Sequence, residues 1–159
     1  MQKQPIAATE IRKATIIDIP DIHALVRELA EYEKAPDQVI ASVEDYQRDF
    51  RNGCFEAVVA VQQSEIRGMA LFFRAYSTWK GRMLYLDDLV VSEPFRRRGL
   101  GGLLFQAVLN EARSQGAKLL KWQVLDWNEP ALQFYKSYDA VIESEWYNGK
   151  ILLHTSLSV

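Results

Sequence analysis

The chain has 159 residues, 48% apolar and 25% charged, with a net charge of −2, which suits one soluble globular domain with its own core. Its one cysteine, Cys54, excludes an intramolecular disulfide and fits a reducing compartment. No apolar run approaches the roughly 20 residues that span a bilayer, the N-terminus lacks the apolar stretch of a signal peptide, and the mildly acidic balance offers nucleic acid no general attraction. A cytoplasmic protein without membrane or nucleic-acid partners is expected.

Residues 1–10 are expected to be a flexible extension, and 11–159 a single domain. The alternation in "IRKAT", from Ile11, predicts a short strand. Over 19–34, Ile22, Leu25, Val26, Leu29 and Ala30 recur at helical spacing, and Pro36 closes that amphipathic helix. Ser42 with Asp45 three residues on predicts an acidic capping box opening a second helix, which Gly53 ends. "FEAVVAV" and "RGMALFFRAY", from Phe55 and Arg67, flank a polar turn and predict a hairpin. "RMLYLDDLVV", from Arg82, is a third strand of this group. A helix over 99–115 carries Leu100, Leu103, Leu104, Ala107 and Val108 on one stripe, stopped by Gly116. "AKLLKWQVL" is a strand, and Asn128 caps a helix whose early Pro130 suits its first turn. "AVIESEW" and "KILLHTSL", joined across Asn148-Gly149, predict a closing hairpin. The order βααβββαβαββ implies an α/β fold with a mixed sheet flanked by helices.

The stretch "VVSEPFRRRGLGGLLFQAV" puts three arginines and three glycines where a strand hands over to a helix. The first turn of a helix offers unpaired amides and the positive end of its dipole, a seat for an anion. Glycines let the backbone close on a phosphate, and arginines add forked charged contacts. A Walker loop would need Lys and then Ser or Thr after the last glycine, where Leu103 stands. The dinucleotide fingerprint would need a small residue at Leu104. Neither fits.

The R-x-x-G-x-G pattern of Arg96, Gly99 and Gly101, preceded by "LYLDDLVV", resembles the pyrophosphate loop of the GCN5-related N-acetyltransferases (GNAT). The resemblance runs from "IRKAT" to the final hairpin. "ELAEYE" from Glu28, "LYLDD" from Leu84 and "WNEPALQFYK" from Trp127 make it closest to the spermidine/spermine acetyltransferase branch. It implies a GNAT fold and acetyl-CoA as co-substrate, with no metal. The amides and side chains of Arg96, Arg97, Arg98, Gly99, Leu100, Gly101 and Gly102 would hold the pyrophosphate. The pantetheine arm would lie between the "LYLDDLVV" and "KLLKWQVL" strands, near Leu89 and Val91. Asn128 would assist cofactor binding, and Tyr135 would sit near the sulfur.

The implied reaction is direct transfer of acetyl to a primary amine of a small molecule (a polyamine, diamine or lysine-like amine) through a ternary complex. A free alkyl amine has a pKa near 10, so a base must take its proton, and an acid can protonate the departing thiolate. Tyr135, with a reference pKa of about 10, is a plausible acid. Yet it also lies on a stripe with Ala131, Phe134 and Tyr138 that reads equally as core. Asp87 stands where this branch carries a glutamate base. In a regular strand Asp87 and Asp88 face opposite ways and would serve different sites, Asp88 making substrate or structural contacts. Glu28, Glu31, Glu33, Glu145 and Trp79 are candidates for recognising a cationic acceptor. Ser77, where polyamine enzymes carry an acid, and the nearby Lys80 and Arg82 favour an acceptor that also bears a carboxylate.

His23 and His154 lack metal-ligand spacing and are expected to be structural. Cys54 is expected to be at least partly buried and uninvolved. The resemblance also implies a homodimer. The alternatives are acetylation of a protein lysine or N-terminus, and a non-catalytic CoA-binding module.

Overall fold

The computed structural model describes residues 8–153. His154 and the end of the "KILLHTSL" segment lie outside the described residues. Two compact units divide the chain, one ending at Gln123 and one starting at Val124.

The first unit holds a five-stranded sheet in the order β1 (Glu10–Lys13), β2 (Glu56–Gln62), β3 (Glu65–Ser77), β4 (Gly81–Val91), β5 (Leu119–Trp122). The first three neighbour pairs are antiparallel, and β4 with β5 is parallel, so the sheet is mixed as expected. The β2–β3 connection is a tight turn with Gln63 and Ser64 both at positive φ (51° and 62°), matching the twist of the flanking strands.

Helices cover both faces. Helix α1 (Ile19–Tyr32) buries Ile19, Ile22, Leu25 and Val26 against Ala57, Val59, Met69, Leu71 and Val90. Helix α2 (Val43–Arg51) opens with the anticipated box: the Asp45 amide donates to Ser42 Oγ at 3.1 Å, and the Ser42 amide donates back to the Asp45 carboxylate at 2.9 Å. Helix α3 (Leu100–Ser114) packs on β2, β3 and β4 through Leu100, Leu104, Phe105 and Val108. Its buried stripe takes Phe105 and leaves Leu103 exposed. The close approach is set at Gly68, where an added Cβ would lie 3.0 Å from the Val90 carbonyl and 3.1 Å from Leu104 Cδ1. His23 is buried, with Nε2 2.8 Å from the Ala41 carbonyl and its ring edge-on to Tyr46, which is a structural role.

In the second unit Asn128 caps α4 (Glu129–Lys136), accepting from the Ala131 amide at 3.3 Å, with Pro130 in the first turn. The predicted closing hairpin does not appear among the described residues, of which 140–153 contain no strand. A hairpin with no further strand and no covered face recovers too little to hold itself, whatever its local propensity. Cys54 also departs from expectation. It is exposed, because the turn at Gly53 (φ 72°) carries the chain past the end of α2 before β2 enters the core.

Candidate active site

The site is built where β4 stops behaving as a regular strand. Leu86 stands opposite Phe72, but Leu71 stands opposite Asp88, so Asp87 is an extra residue with no partner on β3. This is a β-bulge, and it overturns the expectation that Asp87 and Asp88 point apart. Before the bulge, Leu86 stands opposite Trp122, whose ring meets Phe105 of α3 edge-on. After it, Asp88 shares a face with Leu71, and Val90 packs in the cluster beneath α1. One inserted residue therefore moves the even-numbered side chains from the α3 face to the α1 face.

The charges of these carboxylates reach Glu33, just beyond α1, and Tyr46 of α2. Asp88 is pushed up to about 7, first by burial and then by the charges of Asp87 and Glu33. Desolvation raises Asp87, and Glu33 is raised by burial and by Asp87. Tyr46 is pushed up to about 12 by burial, Asp88 and Asp87, so its hydroxyl stays protonated. The neighbouring carboxylates thus raise one another: Asp87 and Glu33 act on Asp88, and Asp87 acts on Glu33. The sequence pointed to the acids, whereas Tyr46 went unnoticed; an aromatic in the polar run "VEDYQRDF" was its only signal.

The same point marks the opening of the sheet. Pairing between β4 and β5 ends at Leu86 with Trp122, while β4 runs on to Val91 paired to β3. Leu89 and Val91, both partly buried, lie on that continuation.

Beyond it the chain makes a 3-10 turn (Glu93–Phe95) and enters α3. Gly99 is the residue before the helix, at φ 84°, and Arg97 also takes a left-handed conformation at φ 62°. Gly99, Arg97 and Arg98 are exposed, Gly101 and Gly102 half-buried, and Leu100 buried beneath them. The first amides of a 15-residue helix thus lie beside two exposed arginines, Arg97 and Arg98, the latter with its guanidinium over the Phe95 ring, a donor set suited to a diphosphate. Arg96 differs from its neighbours. Its Nε donates to the Val91 carbonyl at 2.9 Å, its guanidinium lies 3.6 Å from the Glu28 carboxylate, and it rests over the Tyr32 ring. Glu28 also accepts from the Glu93 amide at 2.9 Å, so this carboxylate organises the turn.

Glu31 is exposed on α1. Trp79 is exposed at the tip of the β3–β4 hairpin, where Ser77 Oγ accepts from the Trp79 and Lys80 amides at 3.3 and 3.1 Å. That tip is about 20 Å along β4 from Asp87, so the backbone does not bring the two together. In the second unit Tyr135 is buried with Phe134 against it edge-on, and Glu145 is exposed, its carboxylate accepting from the Ser144 amide at 3.1 Å.

Comparison with known proteins agrees with this architecture. The sequence profile of the acetyltransferase (GNAT) family matches residues 20–139. A thialysine N-epsilon-acetyltransferase of Mus musculus is 37% identical over 152 residues, covering 88% of this chain and 89% of the relative. Its namesake from Caenorhabditis elegans is 38% identical over 118 residues, covering 74% of each. Among solved structures, an aminoglycoside acetyltransferase from an uncultured soil metagenomic sample superposes with a TM-score of 0.77 at 21% identity, over 92% of this chain and 97% of that one.

Proposed function

The chain belongs to the acetyltransferase (GNAT) family, making it an acetyl-CoA-dependent N-acetyltransferase for small amines, and we propose that its acceptor is the side-chain amine of a lysine-like amino acid. The observation that carries this choice is the trio Glu33, Asp87 and Asp88. Three mutually repelling, partly desolvated carboxylates beside an opening in the sheet are relieved by an incoming ammonium group. The two relatives named for thialysine, a lysine with sulfur in place of a methylene, support the lysine-like length and the second polar end.

In this reading the diphosphate of acetyl-CoA sits on the first amides of α3, with Arg97 and Arg98 closing over it. Arg96 and Glu28 hold the turn in shape, Leu89 and Val91 flank the pantetheine arm, and Asn128 is a further residue for cofactor binding. Asp87 draws the proton from the ammonium group, directly or through water. The neutral nitrogen then attacks the thioester carbonyl while both substrates are bound. As the C–S bond breaks, Tyr135 protonates the thiolate, and the second proton of the attacking nitrogen passes through water back to the tyrosinate, giving the amide and free CoA. Asp88 and Glu33 hold the cationic acceptor, Glu31, Trp79 and Glu145 being the outer candidates. The enzyme acts as a cytoplasmic homodimer, without a metal, a nucleic-acid partner or a membrane; no helix among the described residues is long and apolar enough to cross one.

The test is an acceptor panel with acetyl-CoA: thialysine, lysine, ornithine, putrescine, spermidine and a lysine-containing peptide, followed by thiol release and product mass. Highest kcat/KM on lysine-like amino acids is expected. Preference for spermidine or for the peptide would overturn the assignment.

A further inference from the structure

We infer that Arg67 is a positioning residue for the cofactor: through the Phe95 ring it holds Arg98 ready for the phosphates of acetyl-CoA. The inference rests on the reading that the diphosphate sits at the first turn of α3, and adds a residue on another strand that prepares the seat.

Arg67 lies on β3 where β4 leaves the sheet. Its neighbour Gly68 stands opposite Val91, the last residue of β4, and the Arg67 carbonyl accepts from the Ser92 amide at 2.8 Å. The backbone at this position therefore fixes where the turn begins, and the side chain fixes where it ends. Its guanidinium carbon lies 4.3 Å from the ring centroid of Phe95, the last residue of the 3-10 turn, and Glu65 pairs with the same guanidinium. A planar guanidinium over an aromatic face is a favourable stack that an ammonium group does not reproduce.

This placement has a cost. The Arg67 side chain is only 23% exposed, and its Nε is buried without a hydrogen-bond acceptor among the described residues. Buried donors are normally paired, so an unpaired one is kept where something else holds the side chain. Here the ring and Glu65 supply that hold.

Phe95 carries a second guanidinium. Arg98 is exposed, yet its guanidinium carbon lies 5.5 Å from the same ring centroid. A long side chain loses rotamer freedom when it grips a phosphate, and one already resting on a ring loses less. On the other side of the turn, Arg96 is held by Glu28 and Tyr32 of α1. The turn is thus clasped from α1 through Arg96 and from β3 through Arg67. Only the second clasp reaches an arginine assigned to close over the diphosphate.

The experiment is calorimetric titration of CoA into wild type, Arg67→Met, Arg98→Met and the double variant, with kcat and the acceptor KM measured on each. Arg98→Met is expected to weaken CoA about tenfold, the loss of one charge-assisted contact. Arg67→Met is expected to weaken it about fivefold through lost pre-organisation, with kcat at saturation and the acceptor KM unchanged. Because Arg67 acts through Arg98, the double variant should bind CoA no more weakly than Arg98→Met alone. Arg67→Lys, which keeps the charge but not the stack, should recover little of the loss. Additive losses, full recovery by Arg67→Lys, or a fall in kcat would each overturn the inference. If Arg67→Met fails to fold, Phe95→Leu removes the ring and is read in the same way. CoA affinity unchanged in Arg67→Met but reduced in Arg98→Met would defeat the role of Arg67 and leave the phosphate seat standing. Wild type that binds pantetheine as tightly as CoA would defeat the seat and this inference together.

Discussion

Glu28 and Arg96 link the first helix to the turn before the central one, with carboxylate and guanidinium 3.6 Å apart. The Glu28 carboxylate also holds the Glu93 amide, so one side chain fixes two points of the turn. Glu28→Ala should therefore raise the KM for acetyl-CoA by about tenfold, the loss of roughly one charge-assisted hydrogen bond, with a smaller effect on the acceptor. Steady-state kinetics with each substrate varied in turn checks this. A change confined to the acceptor KM would return Glu28 to amine recognition.

Gly99 enters α3 at φ 84°, where any side chain is strained by about 1–2 kcal/mol. An added Cβ there meets nothing within 4 Å, so the strain is purely conformational. Gly99→Ala should leave the core intact, lower the thermal midpoint slightly and weaken acetyl-CoA binding severalfold. Calorimetric titration of CoA measures the second effect. Unaltered affinity would remove this turn from the cofactor site.

Asp88 supplies a pH signature. Its pKa in the folded protein is about 7, above the carboxylate's ordinary value, so between roughly pH 4 and 7 the folded state binds more protons than the unfolded one. Its contribution thus destabilises the fold progressively as pH rises through that window, and fully above it. Asp88→Asn should be more stable than wild type at pH 8, with the gain vanishing towards pH 4. Urea midpoints at pH 4, 6 and 8 test the sign. A gain independent of pH would mean that the substitution acts through packing.

Tyr135→Phe keeps the ring and removes only the hydroxyl. If that hydroxyl protonates the thiolate, turnover should fall by about a hundredfold with acetyl-CoA affinity nearly unchanged. Undiminished turnover would leave Tyr135 as a core aromatic.

The parts of this fold that depend on local chemistry were legible beforehand. The stripe of Ile22, Leu25 and Val26, the Ser42–Asp45 box and the Asn128 cap each concern residues within one or two helical turns. What depends on partners was not. Whether Asp87 and Asp88 diverge is decided by how β3 pairs with β4, and no feature of "LYLDDLVV" alone announces the extra residue. The three consecutive arginines look equivalent in sequence, yet Arg96 is half-buried while Arg97 and Arg98 are exposed, because Val91 and Glu28 lie within its reach. The closing hairpin was read from propensity, and propensity does not provide the neighbours that a strand needs. Cys54 follows the same rule, since its exposure is set by where α2 ends.

The bulge in β4 also bears on how this protein can be altered. An inserted residue resets the phase of the pleat, so the two halves of a single strand answer to different demands. Leu84 and Leu86 are constrained by the packing around them, while Asp88, on the other face, can be changed to suit another acceptor without disturbing that half of the interior. Deleting Asp87 would remove this independence, rotating every later side chain of the strand to the wrong side at once.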